Sequence, residues 1–323
     1  MAYARYIEIA QHPAKLSLRN GCLVVTREVE PGAPEESSVP VGEVACVVLA
    51  HAQVYMTQPA MAALMAAGCP VLVCDGAMMP AGMMMPLTGN TLQSQRMQAQ
   101  AAAPLPVRKR LWQGIVRWKV RAQAAVLTTV HGDNHGLGEL ALRVRSGDPT
   151  NAEAQAAARY LPALFGGDFR RRFDAPDQNR LLNYGYAVLR ASVARAICGA
   201  GLHPTVGLHH RHRENPFCLA DDLMEPYRPL VDGEVAEITG TWGPDAPLNT
   251  DAKRRLIGLM ETRIGDGGEL RPVSDHIART AFSLADAFLA ASSGDERGRA
   301  GAAEVWYPRG MLERGGGGGR PEA

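Results

Sequence analysis

Cysteine is scarce in this 323-residue chain: Cys22, Cys46, Cys69, Cys74, Cys198 and Cys218 are the six, and no two are spaced C-x-x-C. That excludes a disulfide scaffold and gives no sign of a structural zinc, so the thiols are expected to be reduced and mostly buried. Long apolar runs are also lacking. The least charged region runs from Val44 to Gln95 with Asp75 as its only charge, and Gln53, Thr57, Gln58, Pro59, Gly68 and Pro70 interrupt it. No run reaches the ~18 residues of a membrane helix. Net charge is nearly absent: 34 Lys+Arg against 33 Asp+Glu leave +1, which excludes a globally basic nucleic-acid binder but permits a local basic face. There is no internal repeat. The start, MAYARYIEIA, lacks a secretory pattern and reads as a strand, so a cytoplasmic protein is expected. With 46% apolar and 21% charged residues, the composition excludes a disordered chain, a collagen and a coiled coil, and the length suits two domains.

The most informative gap is local. From Gly76 to Gly132 there is no Asp or Glu, while Arg96, Arg108, Lys109, Arg110, Arg117, Lys119 and Arg121 give a charge of +7. Arg110, Arg117 and Arg121 fall on one helical face. Further arginines follow at 170–172, 180, 211 and 213. A solvated helix face and a phosphate-binding surface both account for this, and the length of the acid-free stretch favours nucleic acid.

The predicted architecture is α+β, a small β-rich N-terminal domain followed by a larger all-helical catalytic domain. Residues 1–90 carry strand candidates at Tyr6–Ala10, Lys15–Arg19, Cys22–Arg27, Val44–Ala50 and Val71–Cys74, with Asn20-Gly21 as a two-residue hairpin turn. Thr57 offers an N-cap and Gly68 a stop for one short helix. Residues 80–106, rich in Pro, Gly, Gln and Met, read as a linker. Residues 91–300 then read as helices, at about 111–126, 151–165, 178–200, 250–264 and 275–291. Residues 301–323, with five glycines at Gly315–Gly319, are expected to be a flexible tail. The methionines Met78, Met79 and Met83–Met85 suggest an adaptable packing surface.

Two segments could carry chemistry. In the first, 146–166, Asp148 or Thr150 can cap a helix. Glu153 sits three residues after Thr150, which suits either a capping box or a metal ligand. In the second, 203–232, four of the nine histidines fall between 203 and 212, and Asp221, Asp222 and Glu225 follow. Asp222 and Glu225 share a face if helical. An imidazole with two or three carboxylates could hold Mn²⁺ or Mg²⁺, or these groups could be surface histidines and helix-end acids.

These segments carry a family resemblance. NAEAQAAARY (151–160) resembles the N-x-E-A-x-x-A-R-x-Y motif of the CRISPR-associated integrase/endonuclease family, with an extra residue before Arg159. GLHH (207–210) and LADDLMEPYRP (219–229) resemble its G-x-x-H and L-x-x-D-L-x-E-P-x-R-P motifs, and HHRHRENPF resembles the branch found beside type II systems. The likeness spans roughly residues 3–290. It implies Glu153, His210 and Glu225 as catalytic metal ligands, with Asp222 ligating or tuning the ion and His209 pointing elsewhere. It implies Mg²⁺ or Mn²⁺ as cofactor. The activity it implies is transesterification, joining the 3′-OH of a short DNA fragment (a prespacer) to a CRISPR repeat in double-stranded DNA. Arg110, Arg117, Arg121, Arg211, Arg213 and Arg228 are the expected DNA contacts; salt bridging to Asp221, Asp222 or Glu214 is the other reading of Arg211, Arg213 and Arg228. The family plan also implies a homodimer through the N-terminal half and a heterohexamer with a small ferredoxin-like partner. A metal-dependent DNA or RNA nuclease of DNA repair is the alternative, and a DNA-binding subunit without a working metal site is a third reading.

Overall fold

The structure is a computed structural model that describes residues 5–30, 33–76, 80–87, 92–172, 175–266, 268–292 and 305–312. The N-terminal part holds strands β1 (Arg5–Ile9), β2 (Ala14–Arg19), β3 (Cys22–Glu30), β4 (Ala33–Pro40), β5 (Val44–Leu49) and β6 (Val54–Met56), helix α1 (Gln58–Ala66), and strands β7 (Val71–Cys74) and β8 (Pro80–Met84). They form two four-stranded sheets, ordered β1-β5-β7-β8 and β4-β3-β2-β6. The Asn20-Gly21 turn forms as expected. Both residues adopt positive φ, 51° and 74°, and Arg19 pairs with Cys22 across the hairpin.

The apolar run of β5 is explained by burial on both faces. Val47 packs with Ile9, Leu16, Leu23, Val25, Leu64 and Val71 in the N-terminal core, while Cys46 and Val48 face Ala191 of the helical part. Polar contacts reinforce this junction. The Tyr184 hydroxyl donates to Glu8 at 2.7 Å, Tyr6 and Ser192 hydroxyls lie 3.0 Å apart, and Arg195 donates to the Gly68 carbonyl at 3.1 Å.

The linker is ordered where it is described. Its start is β8, which closes the first sheet, with Met84 in the N-terminal core and Met83 and Met85 against the helical core. Met78 and Met79 lie outside the described residues. The chain continues through α2 (Gln93–Ala101), α3 (Leu105–His131), α4 (Leu137–Arg143), α5 (Ala152–Phe165), α6 (Asn179–Gly199), α7 (Cys218–Met224), α8 (Arg228–Trp242) and α9 (Thr250–Gly258). Strands β9 (Arg263–Asp266) and β10 (Glu269–Pro272) and helix α10 (Val273–Ser292) follow. Helix α3 packs against α4, α5, α7 and α8, and α6 against α7, α8, α9 and α10. No helix among the described residues is long and apolar enough to cross a membrane.

Two expectations need correction. The second part is not all-helical, because the helix expected over 250–264 stops at Gly258 and the chain turns into the β9–β10 hairpin. The segment expected to be a flexible tail from 301 is packed over 305–312. Val305, Tyr307 and Met311 are buried in the helical core, and Trp306 stacks on His276 with the Arg279 guanidinium 4.0 Å from its ring centroid. Apolar residues and two aromatics hidden in a glycine-rich context supply that anchorage. Gly315–Gly319 lie outside the described residues.

The helical core buries one carboxyl with tyrosines around it. Asp232 of α8 is 2% exposed and accepts a hydrogen bond from the Tyr186 hydroxyl. Burial pushes its carboxyl up to about 6, against the opposing effect of the tyrosine hydrogen bonds and of Arg228 and Lys119.

Two outcomes follow from this packing. A Cβ at Gly310 would stand 2.0 Å from the Gly265 carbonyl oxygen, so Gly310→Ala should cost ~1–3 kcal/mol and lower the thermal midpoint. An unchanged midpoint would show that residues 305–312 are not clamped there. For Asp232, a folded-state value of about 6 stands above the unfolded value of ~3.9, so the native state binds more protons between them. Stability should therefore fall as pH rises from about 4 to 6, by on the order of 3 kcal/mol in all. Asp232→Asn should flatten that stretch of a denaturant-melt series.

Candidate metal and nucleic-acid site

Glu153, Glu225 and His210 reach one region from three separate segments. Glu153 stands in the first turn of α5. The capping-box reading does not hold: Asp148 is the cap, accepting from the Ala152 and Glu153 amides at 2.8 and 3.0 Å. This leaves the Glu153 side chain free to turn toward α3, where Lys119 Nζ lies 2.7 Å from its Oε1. Glu225 opens a 3-10 turn between α7 and α8 and is 4% exposed. Its Oε2 lies 2.5 Å from the same Lys119 Nζ, and its Oε1 lies 3.0 Å from Arg228 Nε. Burial would raise the Glu225 carboxyl, but Arg228 and Lys119 outweigh it and hold it below its ordinary value. Burial likewise works against the Lys119 ammonium, but Glu225 and Glu153 hold it above its ordinary value.

The histidine is placed by a loop with little freedom. Asp222 is fully buried in α7. Its Oδ2 accepts from the Leu208 and His209 amides at 2.6 and 3.1 Å, and its Oδ1 from the His210 amide at 3.2 Å. The same Oδ1 is 2.6 Å from His210 Nδ1. A carboxylate already accepting three amide protons takes a fourth from Nδ1–H, so in the neutral imidazole Nε2 is the nitrogen with the lone pair. The hydrogen bond to Asp222 raises the His210 imidazole above its usual range, with Glu225 and Glu153 acting in the same direction. Gly207 is required by this geometry, since a Cβ there would meet the His210 carbonyl at 2.4 Å and Asp222 Oδ2 at 3.0 Å.

The two adjacent histidines separate cleanly. His209 is exposed and stacks on Trp112, with centroids 4.3 Å apart and planes 3° from parallel. His210 meets the same indole edge-on at 5.7 Å. Asp222, expected to ligate or to tune the ion, has both its oxygens engaged by the loop and by His210, which orients that ring. Asp221 is likewise committed, to Arg190 at 2.7 Å and Asn215 at 2.7 Å.

Among the described residues no three His, Cys, Asp or Glu side chains stand ready-made around a metal position. The reason is visible in the ion pairs, because an ammonium sits between the two carboxylates. The donors nevertheless suit a hard divalent cation. Two carboxylates converge on one cation, and the buried Glu225 Oε2 makes no hydrogen bond of acceptable geometry. Both carboxylates lie close enough to His210 to favour its protonated form.

The expected DNA contacts divide. Arg211 and Arg213 are exposed, and Arg108 is held below its ordinary value by desolvation and by repulsion from Arg211. Arg110 and Arg121 are half-buried on α3. Arg117 donates to the Val144 carbonyl at 3.0 Å. Arg228 pairs with Glu225, an acid outside the expected partners, and lies over the Tyr186 ring, 4.8 Å from its centroid. Arg143, Arg145 and Arg159 join Arg117 in an open groove of about 950 Å³ between α3, α4 and α5. Sequence reading missed the roles of Lys119 and Trp112, while Asp148 takes the capping role it was one of two candidates for. Lys119 is seven residues beyond Trp112, so both share the inward face of α3, while its place in a basic run suggested solvent.

Known proteins resemble this chain in sequence and in fold. The family profile described as CRISPR associated protein Cas1 matches residues 7–241. The CRISPR-associated endonuclease Cas1 of Neisseria meningitidis serogroup C is 38% identical over 258 residues, covering 79% of this chain and 83% of that protein. CRISPR-associated endonuclease Cas1 2 of Pyrobaculum aerophilum is 29% identical over 87% of this chain and 98% of its own length. Among solved structures, a casposase bound to integration product superposes with a TM-score of 0.74 at 19% identity, over 91% of this chain and 93% of that one. A CAS1 protein from Thermotoga maritima superposes with a TM-score of 0.66 at 16% identity, over 90% and 98%. These two share the fold. From the profile match and the Neisseria relative together, the chain belongs to the CRISPR-associated Cas1 family.

Proposed function

We propose that this protein is a divalent-metal-dependent DNA integrase and endonuclease of CRISPR adaptation, joining the 3′-OH ends of short DNA fragments to the repeat array by transesterification. The observation that carries this reading is the convergence of Glu153 and Glu225 on one buried cation, with His210 oriented beside them by Asp222. Relatives described as CRISPR-associated endonucleases and a neighbour described as a casposase bound to integration product support it.

Glu153, Glu225 and His210 Nε2 would hold Mg²⁺ or Mn²⁺. When bound, the ion supplies polarisation of a phosphoryl oxygen and offsets charge on the attacking and leaving oxygens. The remaining work belongs to the chain. Asp222 keeps the Nδ1 proton on His210 and the lone pair on Nε2. Trp112 holds the ring from its edge, and Arg228 keeps Glu225 ionised. Arg108 and Arg211, close enough to repel each other, and the exposed Arg213 would bind backbone phosphates without reading sequence, with Arg110, Arg117 and Arg121 extending that basic surface along α3. Water in place of the 3′-OH would give strand cleavage at the same site.

Joining a fragment at both ends of one repeat needs two sites, hence more than one copy of the chain. In this reading the copies pair as a homodimer through the β-rich part and assemble with a small ferredoxin-like partner into a heterohexamer in the cytoplasm. A solved neighbour described as a Cas6-RT-Cas1–Cas2 complex, with a TM-score of 0.69 over 95% of this chain and 36% of that chain, is in keeping with such an assembly.

The test is strand joining by purified protein and partner with fragment and repeat DNA in Mn²⁺ or Mg²⁺. Glu153→Ala, His210→Ala and Glu225→Ala should each reduce joining by ~100-fold or more, and joining that persists in all three would refute the ligand set. Asp222→Asn should weaken metal affinity by about 10–100-fold while the protein still binds DNA. DNA affinity should fall linearly with salt on a log–log plot, with a slope of about −0.9 per phosphate contacted. Arg211→Gln with Arg213→Gln should make that slope shallower by roughly one unit for each phosphate contact removed.

A further inference from the structure

Lys119 belongs to none of the motifs that carry the family resemblance, yet it touches both acidic groups of the site. Its Nζ is 2.7 Å from Glu153 and 2.5 Å from Glu225, and its side chain is 11% exposed. It projects from the inward face of the 27-residue helix α3, between the buried residues Val116 and Val120. Two carboxylates that face the same point repel, and a cation placed between them offsets that repulsion. The ammonium provides that cation before any metal arrives.

We propose that Lys119 is a resident cation: it holds the two carboxylates in place in the metal-free protein, is displaced when a divalent ion loads, and is then neutralised by a DNA phosphate. Metal and DNA therefore bind cooperatively. The proposal rests on the metal-dependent reading above and adds the regulation of that site.

The argument is electrostatic. An ammonium and a divalent ion cannot both occupy the short gap between the same two carboxylates, since they repel each other and compete for the same oxygens. A displaced ammonium on a buried stem needs another anion. The nearby acids are committed: Asp222 to the loop amides and His210, Asp221 to Arg190 and Asn215, and Asp232 to Tyr186. A phosphate drawn to the edge formed by Arg108, Arg211 and Arg213 would bring the missing negative charge. Linkage then requires that DNA raise metal affinity by the same factor as metal raises DNA affinity. Lysine suits the role because its compact charge and flexible stem let it move between partners, which the planar fork of arginine resists.

The experiment measures Mn²⁺ binding to the full chain by electron paramagnetic resonance of the free ion, with and without a short DNA duplex whose own Mn²⁺ uptake is subtracted. Wild type should bind Mn²⁺ more tightly with DNA, by a factor within the usual ~5–150 of coupled sites. Lys119→Met should bind Mn²⁺ about tenfold or more tightly without DNA and lose most of the DNA effect. Its metal-free thermal midpoint should drop and recover with Mn²⁺. Lys119→Gln is the second neutral variant if the methionine form does not fold, and Lys119→Arg, which keeps the charge on a fork that resists displacement, should bind Mn²⁺ no more tightly than wild type without DNA. Neutral variants that bind Mn²⁺ no more tightly than wild type, or that retain the full DNA effect, overturn the proposal. A Glu153→Gln protein with undiminished Mn²⁺ binding would instead overturn the metal-site reading on which it stands.

Discussion

An ammonium held between one buried and one partly buried carboxylate is the contact on which the centre of the helical part depends. Lys119, Glu153 and Glu225 come from α3, from α5 and from the turn after α7, and each charge would be costly to bury without the others. Their pairing therefore ties three distant segments to one geometry. It also explains why a site of metal-binding donors does not look like a metal site in this structure: the place a cation would take already carries positive charge.

The histidine reaches the same place by a different device. Asp222 ties down the loop from Leu208 to His210 through backbone amides and sets the proton on His210 with the same carboxylate. The neighbouring Asp221 looks identical in sequence but faces Arg190 and Asn215. Adjacent residues on a helix point about 100° apart, so two aspartates side by side serve different structures. Behind the site, Tyr307 from residues 305–312 packs on Trp118 and Tyr227, which flank Lys119 and Arg228 in the chain. A segment outside the family match thus supports the residues that the motifs mark.

Legibility tracked the range of the physics involved. The Asn20-Gly21 hairpin, the parallel core strand over Val44–Leu49 and the amphipathic helix α3 rest on turn chemistry, β-branching and periodicity, which act within a few residues. The helices over Ala152–Phe165 and Asn179–Gly199 were legible for the same reason. Strands β4, β6 and β8 were not, because their sequences carry weak patterns of their own, and β6 forms only by pairing with the distant β2. The glycine-rich context of 305–312 suggested a loose tail. A tertiary pocket for Val305, Tyr307 and Met311 overrode it.

What the sequence determined by itself is the two-part order, strands before helices, and the donor types gathered in two motif-bearing segments. Those properties are written in local spacing and residue chemistry. The tertiary structure alone decided which partner each charged group meets. It turned Glu153 from a possible cap toward Lys119, made Asp222 a holder of His210, and set Arg228 against Glu225 and Tyr186. The reason is that the energy of a buried charge depends on which opposite charge lies within a few ångströms of it, and the chain path, not the neighbouring letters, brings that charge near.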